Sequence, residues 1–323
     1  MTFRLKDSFE SACNYFALWE LLGKRTQETS RIWRKMDLKV DTTQPLPSFI
    51  GDWTEAPFPQ NEVRSVWTRV RSVMRENTAW GHDYVLDRRD PLYPTLLNEI
   101  DGAPDFLFLT GNLELLNRSA LAIVGTRNPS SEGMQRAYKL ACLTAENGIV
   151  VVSGLARGVD ASAHKGAISV GGNTMAILGT PLRLSYPKEN QRLQETIGKI
   201  GLLISQFYPG AGIRRHFFPM RNALMSGLCL GTVVIEASET SGALIQARQC
   251  LKQQRKLFIP KSAVENEALT WPKRFIQKGA HEFASIDELV GVLRRERLLP
   301  TQGTQQVLNT EVIRLSQAPC LSN

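Results

Sequence analysis

GIVVVSGLARGVDASAH, residues 148–164, joins an apolar run to a glycine-punctuated turn and then to an alanine-rich stretch of helical texture. Ile149 to Val152 follow one another without a polar interruption, the pattern of a strand covered on both faces rather than one with a wet side. Such a strand, followed at once by a helix, belongs to a parallel sheet with helical crossovers. The turn SGLARGVD sets Arg157, Asp160 and, one helical turn on, His164 around Gly154 and Gly158. Two glycines suit tight turning alone or a backbone passing close to a partner, and the free amides of the helix start attract anions.

The same texture recurs on both sides of this stretch. LAIVGT (121–126), TMAILGT (174–180), GLLISQF (201–207), TVVIEAS (232–238) and KLFIP (256–260) are short aliphatic runs, most ending at Gly, Ser or Thr, with helical segments between them. In SGALIQARQCLKQQ (241–254), Ala243, Leu244, Ala247, Cys250 and Leu251 fall on one face, as in a helix covering a sheet. The prediction is an α/β fold, a doubly wound, mostly parallel sheet, over residues 86–295. Residues 1–85 form a smaller, mostly helical N-terminal region: FESACNYFALWELLGK and VRSVWTRVRSVM carry the helical period around a proline-rich loop, QPLPSFIGDWTEAPFPQ. Five of the six tryptophans lie there, which predicts a small core of its own. Residues 296–323 are too polar and short for a domain and read as a C-terminal tail.

Composition narrows the function classes. No apolar run approaches the roughly 18 residues of a membrane span, and MTFRLKDSFESACNYF lacks the apolar core of a signal peptide, so a cytoplasmic protein with no membrane partner is expected. The five cysteines, Cys13, Cys142, Cys229, Cys250 and Cys320, are scattered and odd in number, which argues against a disulfide framework and against structural zinc. A net charge of +8 suits a polyanionic partner or simply a basic soluble protein, and only its placement decides. G-x-G-x-x-G and G-x-x-x-x-G-K-[ST] are both missing, so neither a dinucleotide nor a P-loop nucleotide cofactor is supported. No nucleophile stands with a base that would activate it, and a non-enzymatic protein without metal or cofactor is expected.

Ligands of open parallel sheets bind beyond the carboxyl ends of the strands. GTRNPSSEG (125–133) places Arg127 there, with Ser130 and Ser131 either capping the next helix or binding phosphate. Arg157 follows the next strand, as a phosphate ligand or, against Asp160, as scaffold. EASETSG (236–242) contributes Glu236 and Ser241. RRHFFPMRN (214–222) surrounds two phenylalanines with Arg214, Arg215, His216 and Arg221, an arrangement suited to single-stranded nucleic acid, with bases on rings and guanidinium groups on phosphates. One of the two phenylalanines is expected in the core. His164, in an apolar helix start, reads as a core residue rather than a catalytic one.

Assembled, these loops resemble the DprA/Smf family of DNA-processing proteins of bacterial natural transformation. The resemblance runs through DRRDPLYPTLLNEIDGAPDFLFLTGN, GTRNPSSEG, SGLARGVDASAHKGA, GGNTMAILGTPLRLSYPKEN, FFPMRNALMSGL, VVIEASETSGALIQA and GAHEFASIDEL. It implies an extended Rossmann-like fold that binds single-stranded DNA, forms a homodimer and helps load a RecA-type recombinase. It puts Arg127 on the arginine of G-[SA]-R, Arg157 on that of G-L-A-R-G-[IV]-D, and Phe218, Arg221 and Asn222 on F-P-x-R-N-R, with Phe218 stacking on a base and Arg215 meeting the backbone. The implied DNA or phosphate contacts are thus Arg127, Ser130, Ser131, Gly154, Arg157, Gly158, Arg214, Arg215, Phe218, Arg221, Asn222 and Ser241. The chain departs from the family at Ala223, where a second arginine is usual, and at Gln206, where glutamate is usual. It departs again at IPKS (259–262) and EALTWPKRFIQ (267–277), and no winged-helix module is read after the sheet. These departures leave room for a sensor of nucleic acid or a nucleotide ligand in a mobile-element or anti-phage context. A nucleotide-processing Rossmann enzyme is disfavoured, because EASETSGALIQA lacks the glycine run of P-G-G-x-G-T-x-x-E.

Overall fold

The computed structural model describes residues 2–36, 39–48, 50, 58–78 and 83–299. Three helices come first: α1 (Thr2–Leu21), α2 (Thr26–Met36) and α3 (Gln60–Asn77). Then come β1 (Asp83–Asp87), α4 (Thr95–Asn98), β2 (Phe106–Gly111), β3 (Ala120–Val124), α5 (Ser131–Glu146), β4 (Val150–Ser153) and α6 (Val159–Ser169). The chain continues through β5 (Thr174–Ile177), α7 (Gln191–Ile200), β6 (Leu202–Ser205), α8 (Phe217–Leu228), β7 (Gly231–Val234) and α9 (Ala243–Lys252). It closes with β8 (Lys256–Pro260), α10 (Lys261–Val264), α11 (Trp271–Ile276), β9 (His281–Phe283) and α12 (Ile286–Arg295).

The strands form one sheet in the order β1-β2-β6-β5-β4-β3-β7-β8-β9, parallel from β6 to β9, with β1 and β2 antiparallel at one edge. All six runs expected as strands are strands, and the doubly wound α/β reading holds. From β3 the chain winds outward through β4, β5 and β6, then returns to lay β7 on the other side of β3. Right-handed crossovers in opposite directions must use opposite faces. Accordingly Leu121 and Ile123 pack with α5, α6 and α12, while Ala122 and Val124 pack with α8 and α9. β3 and β7 stay hydrogen-bonded to their carboxyl ends, and the connections that leave them run to opposite faces at this reversal, where a crevice opens.

β2 explains how the N-terminal helices attach. Leu107 and Leu109 join the core of the sheet, whereas Phe106 and Phe108 alternate to the other face and pack with Tyr15, Phe16, Trp33 and Met74. Phe207, Tyr208 and Phe217 complete the same cluster. The expected separate N-terminal core is therefore corrected: the aromatic residues of α1 and α2 are the cover of the β1–β2 ribbon, and β1 straddles the boundary drawn at residue 85. The expected tail lies, from residue 300 onward, outside the described residues. No described helix is long and apolar enough to cross a membrane.

Candidate nucleic-acid interface

Asp160 stands in the first turn of α6 and is 5% exposed. Its Oδ2 accepts from the backbone N–H groups of Gly154 (3.2 Å) and Ala156 (3.3 Å), which fixes the turn after β4. The opposing charge is Arg221 of α8, 6% exposed, whose Nη1 donates to the carbonyl of Ile177 at 3.2 Å. A Cβ on Gly154 would lie 1.3 Å from that Nη1, so the glycine is the slot through which the guanidinium passes. Burial pushes the Asp160 carboxyl up and Arg221 opposes this; burial likewise lowers Arg221 while Asp160 holds it protonated. Two expectations are corrected here. Gly154 gives room to a side chain rather than to a phosphate, and Arg221 is the floor of the crevice, not a surface cation.

Gly158 has a distinct task. Its φ of +80° suits glycine, and a Cβ there would sit 2.6 Å from the carbonyl of Thr126 and 2.7 Å from that of Arg127. It therefore seats the β4–α6 turn against the β3–α5 loop. That seating brings Arg127 and Arg157 to neighbouring loops. Arg127 is exposed, with no hydrogen bond or ion pair among the described residues. The Arg157 side chain is 58% exposed and lies 3.9 Å from Glu189, a loose surface pair. The reading of Arg157 as scaffold against Asp160 falls, since Asp160 is matched by Arg221.

The α5 N-terminus holds an anion of the protein's own. Ser130 caps the helix by accepting from Gly133 N (2.9 Å), while its hydroxyl donates to Glu236 Oε2 (2.7 Å) and its N–H to Oε1 (2.9 Å). A Cβ on Gly133 would lie 2.1 Å from Glu236 Oε2. The carboxylate thus ties the β7 loop to the β3 loop and occupies the place expected for phosphate. Ser130 is a cap bound to Glu236, and Ser131 beside it is exposed.

RRHFFPMRN divides as its two phenylalanines do. Phe217 is buried, stacked on Phe207 with ring centroids 3.8 Å apart. Phe218 is half-buried, its ring edge over Gly179 and its centroid 5.5 Å from that of Tyr186. Arg214 turns to the N-terminal helices: its Nε donates to the Ala211 carbonyl (3.1 Å) and its guanidinium lies 5.7 Å from the Trp19 ring. Arg214 is half-buried, with only its Nε hydrogen-bonded among the described residues. Arg215 is exposed.

Arg127, Phe218, Asn222 and Ser241 meet around one cavity of about 400 Å³ at the β3/β7 reversal. Ser241 Oγ accepts from Ala243 N at 3.3 Å at the start of α9. Sequence reasoning missed Gln246 in the wall: its Nε2 donates to Ser226 Oγ at 2.8 Å, while Oε1 is buried without a partner. The available signal was spacing: Gln246 falls three residues after Ala243 and four before Cys250, on the apolar face of α9. His164 is fully buried; its Nδ1 lies 2.7 Å from Thr174 Oγ1, whose proton goes to the Val151 carbonyl, so Nδ1 carries the ring proton. Burial and the Arg221 charge take its pKa down to about 3, and it is a neutral core residue. Among the described residues no cluster of three or more His, Cys, Asp or Glu could hold a metal ion.

Residues 84–294 match the DNA recombination-mediator protein A family. DNA processing protein DprA of Streptococcus pneumoniae is 40% identical over 191 residues, 59% of this chain and 67% of that protein. The X-ray structure of DprA from Streptococcus pneumoniae superposes with a TM-score of 0.72 at 30% identity, covering 86% of this chain and 97% of that one. A Helicobacter pylori DprA structure, described for its single-stranded DNA binding mode, superposes with a TM-score of 0.58 at 27% identity over 66% of this chain and 96% of that one. With two thirds of its length in the family match and the crevice built from that same segment, this chain belongs to the DNA recombination-mediator protein A (DprA) family.

Proposed function

We propose that this protein binds single-stranded DNA along the carboxyl edge of its sheet, with Arg127, Arg157 and Arg215 on phosphates and Phe218 under a base. The observation that carries the reading is the exposure of Arg127 and Arg157 on two loops locked together at Gly158, beside a half-buried aromatic ring on the same crevice. Cations with no better partner in the protein meet phosphates, and an aromatic face accepts any base. Asn222 and Ser241 supply polar contacts in the crevice wall. The Helicobacter pylori relative, described as binding single-stranded DNA, supports the reading by likeness. The role is non-catalytic: Glu236, which a hydrolase would need free, is held by Ser130. Protecting the strand and presenting it to a RecA-type recombinase, as a homodimer, extends the same proposal.

Fluorescence anisotropy with labelled oligonucleotides tests it. Tighter binding of a single strand than of the matching duplex is expected; equal affinity for both overturns the stacking role of Phe218. Co-sedimentation of the DNA complex with a RecA-type recombinase, and light scattering of the free protein, test the two extensions.

A further inference from the structure

The loop from β5 to α7 carries LSYPKEN (184–190), beside the crevice but outside its lining. It is pinned at several points. Thr180 Oγ1 donates to the Leu184 carbonyl (2.7 Å), and Gln194 Nε2 donates to that of Leu182 (2.8 Å). Asn190 Nδ2 donates to the Leu155 carbonyl (2.9 Å), two residues before Arg157, which ties this loop to the β4–α6 turn. None of these bonds uses the Tyr186 side chain. Tyr186 is 47% exposed, and its hydroxyl has no hydrogen bond among the described residues. Its ring meets that of Phe218 with centroids 5.5 Å apart. A lone exposed apolar side chain needs no explanation. This one is a large ring held half in solvent on a fixed loop, against the very ring assigned to a base.

We propose that Tyr186 is a second base platform: the strand that sets one base on Phe218 sets the neighbouring base on Tyr186, with its backbone bent between them. The proposal rests on the reading of Phe218 as a stacking residue. The two ring planes are tilted by 53°, so neither ring lies flat on the other. Bases resting on both must be tilted to each other by a comparable angle, which the parallel stack of a duplex forbids and a single strand permits. Both rings are placed before the strand arrives. Phe218 rests over Gly179, where a Cβ would lie 2.6 Å from its Cδ1, and Tyr186 is carried by the pinned loop. Because every base has a π-face, the second platform takes purines and pyrimidines alike and adds affinity without adding sequence preference.

Fluorescence anisotropy of the full chain with labelled oligo(dT), at low salt so that weakened variants remain measurable, tests the proposal. Tyr186→Leu keeps an apolar side chain against Phe218 but offers no flat ring. It should weaken single-strand binding about five- to 150-fold, the range for one stacked base. Tyr186→Phe should bind as the wild type does, since the ring and not the hydroxyl makes the contact. The salt slope should be the same in all three proteins, because no phosphate contact is lost. Tyr186→Leu should also weaken binding in a Phe218→Ala background, where a mere brace for Phe218 has nothing left to hold. Wild-type affinity of Tyr186→Leu, a loss from Tyr186→Phe equal to that from Tyr186→Leu, or a Tyr186→Leu effect that disappears once Phe218 is gone overturns the inference. A loss from Phe218→Ala with none from Tyr186→Leu overturns this inference alone; no loss from Phe218→Ala overturns the reading of Phe218 and this one with it.

Discussion

Gly154→Ala should destabilise this protein by displacing a buried guanidinium. The added Cβ would stand 1.3 Å from Arg221 Nη1, so the guanidinium must leave its slot and Asp160 loses its counter-charge inside the fold. Leaving a buried charge without the opposite charge that faces it costs up to roughly 3–5 kcal/mol, the range for a broken contact pair. For a domain of this size that corresponds to a fall of about 6–20 °C in melting temperature. Arg221→Met, which keeps most of the volume, should cost a similar amount at neutral pH. The pH dependence has a definite sign. Burial raises the folded Asp160 pKa, so its ionisation works against the fold once pH exceeds that value, and the conflict vanishes below the unfolded pKa of about 3.9. Without Arg221 the folded pKa rises further, and the stability deficit should shrink as pH falls towards 4. Adding Asp160→Asn to Arg221→Met should recover most of the loss at pH 7, because Asn keeps an acceptor for Gly154 and Ala156 without the charge. Urea unfolding of wild type, both single variants and the double variant gives the coupling directly. Additive losses in that cycle, or a Gly154→Ala variant as stable as wild type, would refute the assignment of Arg221 to the loop.

The remaining expectations concern the surface and the core beside it. Arg127→Ala and Arg157→Ala should each lower the slope of log affinity against log salt by about 0.7 for single-stranded DNA, with melting temperature unchanged; a large thermal loss would mean that either arginine holds its loop. Phe218→Ala should weaken single-strand binding by about 1–3 kcal/mol in anisotropy titrations without unfolding the protein. Phe217→Ala should instead cost about 3–5 kcal/mol of stability, read by urea unfolding, because its ring is stacked in the core. His164 has a folded pKa lowered to about 3, below its unfolded value near 6.5, so it contributes stability present above 6.5 and lost as pH falls towards 3. His164→Gln should flatten the stability profile across that window, and an unchanged profile would place the acid sensitivity elsewhere.

Much of the sheet was legible because its strands are continuous aliphatic runs, which only burial on both faces explains. The strands that were not recognised have other textures. Asp83–Asp87 begins and ends on carboxylates, His281–Phe283 is three residues long, and Phe106–Gly111 alternates between two apolar surfaces and so shows no polar period. The aromatic wealth of α1 and α2 signalled a core but could not say that Phe106 and Phe108 would be half of it. At the candidate site, position after a strand was enough to bring Arg127, Arg157, Phe218 and Ser241 to one edge. It was not enough to separate them from Arg214 and Arg221, since a cation beside an aromatic ring reads alike whether it faces solvent, Trp19 or a buried aspartate.

The glycines of these loops explain why the edge is basic although carboxylates are near. Gly154 admits Arg221 and Gly133 admits Glu236, so the two side chains that cross between loops do so where a neighbour has no Cβ. Each crossing charge is answered inside the protein, Arg221 by Asp160 and the Ile177 carbonyl, Glu236 by Ser130 and the start of α5. Those ties fix the loops after β3, β4 and β7 relative to one another without using Arg127 or Arg157. The exposed cations are therefore carried on loops already tied to one another, and their positions need not relax when a phosphate arrives. Fixed donors of this kind lose little freedom on binding, which favours a strand read by its backbone and by stacked bases rather than by its sequence.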